Sequence, residues 1–200
     1  METRLSLLNK ENILDYIEQY NHCRHERETL SEILLAIEKD DYQTLDWFAQ
    51  FGDCLRAILL NSYGYRKALN FGFTSLLLDK YGWYQHPKFL ELEELHFGLK
   101  DKERYGTYST ITLGRGINHI WAFGLSVSFG TAGSSNGISV YSPQFNSREN
   151  ALEYAMQKLK SMLLPKVGDH DTTNYNQKVI HATLNEIADY EVRKVQLSLF

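Results

Sequence analysis

Two hundred residues suffice for one domain with a real core or for two small lobes, and 43% apolar against 23% charged residues is the balance of a folded chain, not of a disordered one. The formal charge of -4 at pH 7 excludes broad, sequence-independent capture of phosphate backbones by the whole surface and leaves room only for a local basic patch. No apolar run is long enough to span a bilayer and Met1-Glu2-Thr3-Arg4-Leu5 does not open a secretory leader, so a cytoplasmic protein is expected.

Residues 1–86 read as helical. Ile13, Tyr16 and Ile17, then Leu30, Ile33, Leu34 and Ile37, recur at helical spacing and predict two amphipathic helices joined near Asn21-His22, with Asn9 as an N-cap. Asp40-Asp41 breaks the pattern. A further helical stretch runs from Tyr42 through Leu45, Phe48, Cys54, Leu55, Ile58 and Leu59, and Asn61-Ser62-Tyr63-Gly64 supplies turn chemistry at its end. Leu69, Phe71, Phe73 and Leu76-Leu77-Leu78 predict a buried helix between Tyr65 and Asp79, with Gly72 its weak point. Cys23 and Cys54 both fall in helical patterns and are expected as buried, reduced thiols.

Between 87 and 164 the texture changes. Pro87 opens a predicted helix with Phe89, Leu90, Leu92, Leu95 and Leu99 on its apolar stripe. Thr107 to Leu113 alternates as a strand, Gly114-Arg115-Gly116 turns the chain, and Ile117 to Phe129 returns as a second strand. A flexible loop from Gly130 to Gly137 precedes a third short strand, Ile138 to Tyr141. Ser147 caps a helix with Ala151, Leu152, Ala155, Leu159, Met162 and Leu163 on one face, and Pro165 stops it. Residues 165–195 form a polar linker and a last helix from about Tyr175 to Arg193, leaving 196–200 as an exposed tail.

The expected fold class is α+β: a helical N-terminal half, an α-βββ-α layer, and a C-terminal helix with a free tail. The order helix, three antiparallel strands, helix resembles the topology of double-stranded-RNA-binding domains and their ribosomal-protein relatives. That resemblance implies phosphate contacts at the start of the last helix, where Arg148 stands beside Glu149. Arg115 at a hairpin tip, with Lys100, Lys102 and Arg104, completes the set of candidate nucleic-acid contacts, set against the plainer reading of solvated surface charge.

Gln196-Leu197-Ser198-Leu199-Phe200 offers two leucines and a phenylalanine on a short tail, and an exposed apolar peptide usually has a partner. These five residues resemble the pentapeptide by which many bacterial proteins bind the β sliding clamp, the ring that tethers polymerases to DNA. The resemblance is confined to the tail. It implies that Gln196 hydrogen-bonds at the mouth of the clamp pocket, Leu197 is a first anchor, Leu199 and Phe200 fill the apolar subsites, and Ser198 is a spacer. The competing reading is a terminal strand in which Val195, Leu197 and Leu199 alternate with Lys194, Gln196 and Ser198.

The expectation is therefore an accessory protein of DNA replication, repair or mobile-element maintenance, recruited to the clamp as an interaction adaptor and not an enzyme. Two other readings stand beside it. One is a nucleic-acid-binding module built on the β half. The other is a phage- or plasmid-encoded inhibitor acting by protein–protein interaction, for which Glu26, Glu28, Glu32, Glu38, Asp40, Asp41, Asp46 and Asp53 provide an acidic surface. No cofactor motif, nucleophile elbow or zinc spacing is present. His22, Cys23 and His25, and the triplet Asp169-His170-Asp171, are the nearest approaches to metal or acid–base chemistry, and no metal or small-molecule substrate is expected.

Overall fold

The computed structural model of the chain describes residues 8–99 and 106–197. They fall into two compact units, Met1–Pro87 and Lys88–Phe200, each with its own core.

The first unit is helical: α1 (Lys10–Gln19), α2 (Arg24–Glu38), α3 (Tyr42–Ala49) and α4 (Leu55–Leu69). Side-chain caps start two of them. Asn9 accepts the Asn12 N–H at 2.9 Å, and Asp41 accepts the Thr44 N–H at 3.1 Å, each satisfying a donor that the helix itself leaves open. Ile13, Leu30, Ile33, Phe48, Ile58 and Leu59 make up the centre of this core.

Three expectations for this unit are corrected. The stretch from Tyr42 to Leu59 is two helices, separated where the buried Phe51 bonds back to the Phe48 carbonyl and Cys54 opens α4. Asn61-Ser62-Tyr63-Gly64 does not turn the chain but lies in the middle of α4. Asn61 and Ser62 are both buried, Asn61 bonding to backbone outside the helix and Ser62 returning its hydroxyl to the Leu59 carbonyl within it, so burial and the tertiary bonds of Asn61 override their preference for turns. The helix expected between Tyr65 and Asp79 ends at Leu69. Gly72, at a φ of 79°, lets the chain leave the helix, with the Phe73 N–H closing on the Ala68 carbonyl. The residues that follow form a hairpin-like loop in which Leu78 bridges Tyr84 and the Asp79 carboxylate accepts the Tyr81 and Trp83 N–H groups.

The second unit is an antiparallel meander in the order β1 (Leu90–Gly98), β2 (Tyr108–Arg115), β3 (Trp121–Ser128), β4 (Gly133–Asn136), followed by α5 (Arg148–Leu163), a 3-10 turn (Leu164–Lys166) and α6 (Gln177–Leu197). The protein is thus α+β. Leu95, Phe97, Ile111, Leu113, Phe123, Leu125 and Val127 form the inner face of the sheet, packed in one core with Leu152, Leu159, Ile180 and Ile187 of the helices.

The helix predicted from Pro87 is β1, so this unit runs strand-strand-strand-strand-helix-helix in place of the α-βββ-α order. Leu95 and Phe97, two residues apart, face the core as a strand requires. The alternation is hidden in the sequence by an irregularity between Leu90 and Glu93, where Glu91 takes a φ of 50° and the leading leucines fall out of phase. The loop expected at Gly130–Gly137 contains β4, and the strand expected at Ile138–Tyr141 is instead a crossing segment. Its backbone passes so close over Gly124 that a Cβ there would lie 2.4 Å from the Ile138 nitrogen, and Val140 is buried. Ser147 caps α5 by accepting the Asn150 N–H at 3.1 Å, and the expected stripe of α5 is buried at Ala151, Leu152, Ala155, Leu159 and Leu163.

Candidate functional site

α6 carries the candidate docking peptide. Ile180, Thr183 and Ile187 are buried, and Tyr190 packs at the core margin, but Val192, Arg193, Lys194 and Gln196 are exposed. The described side chains of its last turns, Val192, Arg193, Lys194 and Gln196, thus stand in solvent. The helix extends to Leu197, so Gln196 and Leu197 begin the pentapeptide as the final helical turn and not as a free tail, and this segment is not the terminal strand of the competing reading. Ser198, Leu199 and Phe200 lie outside the described residues. The last four carbonyls of any helix lack intrahelical partners, so a final turn with an exposed side chain such as Gln196 is inexpensive to unwind into the extended form that a groove accepts.

The two arginines singled out for phosphate are both engaged. Arg115 does not sit at the hairpin tip but ends β2, opposite Trp121. Its Nε donates to Glu91 at 2.9 Å, its Nη2 donates to the other Glu91 oxygen at 2.5 Å, and its Nη1 meets His119 at 2.8 Å. Bonds from this guanidinium hold the Glu91 carboxyl below its usual range. Arg148 makes a two-pronged pair with Glu93 at 2.6 and 2.7 Å, which raises the arginine's pKa further above its ordinary value. A guanidinium whose fork is filled by a carboxylate has little left for a phosphate. Lys100, Lys102 and Arg104 lie outside the described residues.

Cys23 and His25 meet, the thiol Sγ lying 3.1 Å from the His25 Nδ1, but no third ligand joins them among the described residues. His22 Nε2 lies 3.1 Å from the Tyr16 carbonyl with its ring against Tyr16, whereas His25 stacks on Tyr63 with centroids 4.0 Å apart. Among the described residues no three His, Cys, Asp or Glu side chains form a metal-binding group. Cys23 and Cys54 are free thiols, and both are exposed, contrary to the buried position expected. Each is the N-cap of a helix, outside the helical repeat that faces the core. The Cys23 N–H donates to Glu26 at 2.8 Å. Asp169 and Asp171 serve turn geometry: Asp169 accepts the Asp171 N–H and pairs with Lys166, and Asp171 accepts from Thr173 and Asn174. These bonds lower both carboxyl pKa values.

Sequence reasoning missed two hollows, one on each side of β4. The outer one, of about 400 Å³, is lined by Tyr108, Thr110, Ser126 and Ser135. The register of the sheet places His96, Thr110, Ser126 and Ser135 in one row across all four strands, with the His96 ring 2.9 Å from the Thr110 hydroxyl. The inner hollow, of about 300 Å³, has Phe123, Leu125 and Val127 as its floor and Tyr154, Lys158 and Met162 of α5 as its wall. Among the described residues, no helix is long and apolar enough to cross a membrane. No family model, curated protein or solved structure matches the chain.

Proposed function

We propose that this protein is an accessory factor of bacterial DNA metabolism that docks on the β sliding clamp through Gln196-Leu197-Ser198-Leu199-Phe200. The observation that carries the reading is the pentapeptide itself, in which every position suits the docking pattern. Its support in the fold is the course of α6, which exposes Val192, Arg193, Lys194 and Gln196 where the peptide begins. A short peptide gains affinity when a few large apolar side chains fill ready-made pockets and little has to be ordered first. Leu199 and Phe200 supply those anchors in this reading, and Gln196 the orienting hydrogen bond. Binding of a single peptide is expected at about the micromolar level, with contacts from the folded body or local concentration near DNA adding to it. Contact with DNA is then largely the clamp's task, in keeping with a chain whose two described candidate arginines are spent on carboxylates.

The test is calorimetric titration of purified clamp with the full chain, with Leu199→Ala/Phe200→Ala and with a chain ending at Val195. The full chain is expected to bind and both variants to lose binding while keeping the thermal midpoint of the parent. Equal binding by all three would remove the pentapeptide from the mechanism. No binding by the full chain would remove the clamp.

A further inference from the structure

β4 closes the sheet, and its outer edge is bare. Gly133–Asn136 pairs with β3, and among the described residues no backbone group bonds along its other side. Edge strands are ordinarily blunted by lysine, proline, a bulge or a covering helix. Here the strand is Gly-Ser-Ser-Asn with all four residues exposed. The opposite edge is treated differently: α6 packs along β1, Glu186 accepts the Gly98 N–H at 2.6 Å, and the Thr183 hydroxyl lies 3.3 Å from the Phe97 carbonyl.

The two hollows flank the bare edge on opposite faces. Ser134 and Asn136 share the inner face with Leu125 and Val127, and Gly133 and Ser135 share the outer face with Ser126 and Ser128. Because these inner-face residues of β4 are small, they fill none of the space beside Tyr154 and Met162. A strand added to β4 sends successive side chains alternately to the two faces. Its apolar residues would approach the inner hollow, and its polar residues would lie on the outer face beside the hydroxyl of Ser135, the β4 member of the row that continues to Ser126 and Thr110. Lys158 stands on the wall of the apolar hollow, exposed, and its ammonium has no ion pair among the described residues. That position calls for a carboxylate on the incoming strand.

We infer that the β4 edge is a docking site for an extended segment of a partner protein, alternating apolar and hydroxyl-bearing residues with one carboxylate among its inward side chains, which joins the sheet as a fifth strand. Backbone hydrogen bonds supply much of the affinity in this mode, and the alternate pockets supply the selectivity. A second copy of this chain suits the edge less well. Pairing β4 with β4 would set Ser134 and Asn136 over an apolar floor and draw two Lys158 ammonium groups together. The site is independent of the clamp peptide.

The test uses the full chain and fluorescein-labelled ten-residue peptides with valine or leucine at alternate positions, threonine between them, and glutamate in place of one inward valine. Fluorescence anisotropy is expected to show binding by alternating peptides and none by peptides of the same composition with the valines grouped. Lys158→Glu is expected to weaken the glutamate peptide by about threefold to fivefold, the size of an exposed ion pair, and to favour a peptide carrying lysine there. N-methylation of alternate peptide amides, on the strand side that pairs, is expected to abolish binding. Equal binding of grouped and alternating peptides would overturn the proposal. So would failure of every peptide to bind, whether or not sedimentation then shows a concentration-dependent dimer that Ser135→Pro dissolves.

Discussion

Asn61 shows how much one buried amide can organise. Its Nδ2 donates to the Phe51 carbonyl at 2.6 Å and to the Gly82 carbonyl at 2.7 Å, and its Oδ1 accepts the Tyr84 N–H at 2.9 Å. Asn61→Ala strands all three backbone groups, so chemical denaturation is expected to show a loss of about 2–4 kcal/mol in the helical unit. Glu26 makes a second residue-scale case. Burial pushes its carboxyl up, but the Cys23 side chain and N–H outweigh that and hold it below the usual carboxylate range. A lowered folded-state pKa means the stabilisation is present above the unfolded value of about 4.3 and is lost as pH falls through the folded one. Glu26→Gln is therefore expected to flatten the acid limb of a stability–pH profile. The cysteines were legible as unpaired but not as exposed, because an N-cap and a first-turn position look alike in an apolar pattern. Both thiols are expected to react with a thiol reagent such as dithionitrobenzoate without denaturant.

Element by element, the sequence was most readable where a cap and a long apolar stripe agreed. α5 is the clearest case, and Ser147→Ala is expected to cost about 1 kcal/mol, measurable as an earlier unfolding midpoint. β1 was misread because its alternation spans only Leu95 and Phe97 before Gly98, while the displaced Leu90 and Leu92 mimic helical spacing. α4 was misread in the opposite sense, since Asn61, Ser62 and Gly64 are turn formers whose tertiary bonds or burial keep them helical. At Gly124 the constraint belongs to neither strand nor helix but to the crossing of the 136–138 backbone. Gly124→Ala is expected to lose about 1–3 kcal/mol, because the obstacle is main chain and not a movable side chain.

At the scale of the whole molecule, charge and docking separate. Residues 1–87 hold thirteen acidic and nine basic side chains, so they carry the entire net charge of -4, while the remainder is balanced. Such a chain is expected to show no salt-sensitive retention on duplex DNA, a check by filter binding at low ionic strength that bears on the proposal that DNA contact is left to the clamp. The pentapeptide is a local signal, carried by five consecutive residues whatever the fold. The β4 edge and its flanking hollows were not legible in the sequence, since they depend on which strands become neighbours and on where the helix layer stops.

The bond between Asn61 and Tyr84 also sets a clock. Tyr84 lies outside every named helix and strand, yet its N–H is spoken for by an amide held at 3% exposure. Loop amides commonly trade their hydrogen for deuterium within moments, whereas this one must wait for α4 to release it. Its exchange is expected to track the slowest amides of the helical unit, so a single proton in a loop reports each time that unit opens.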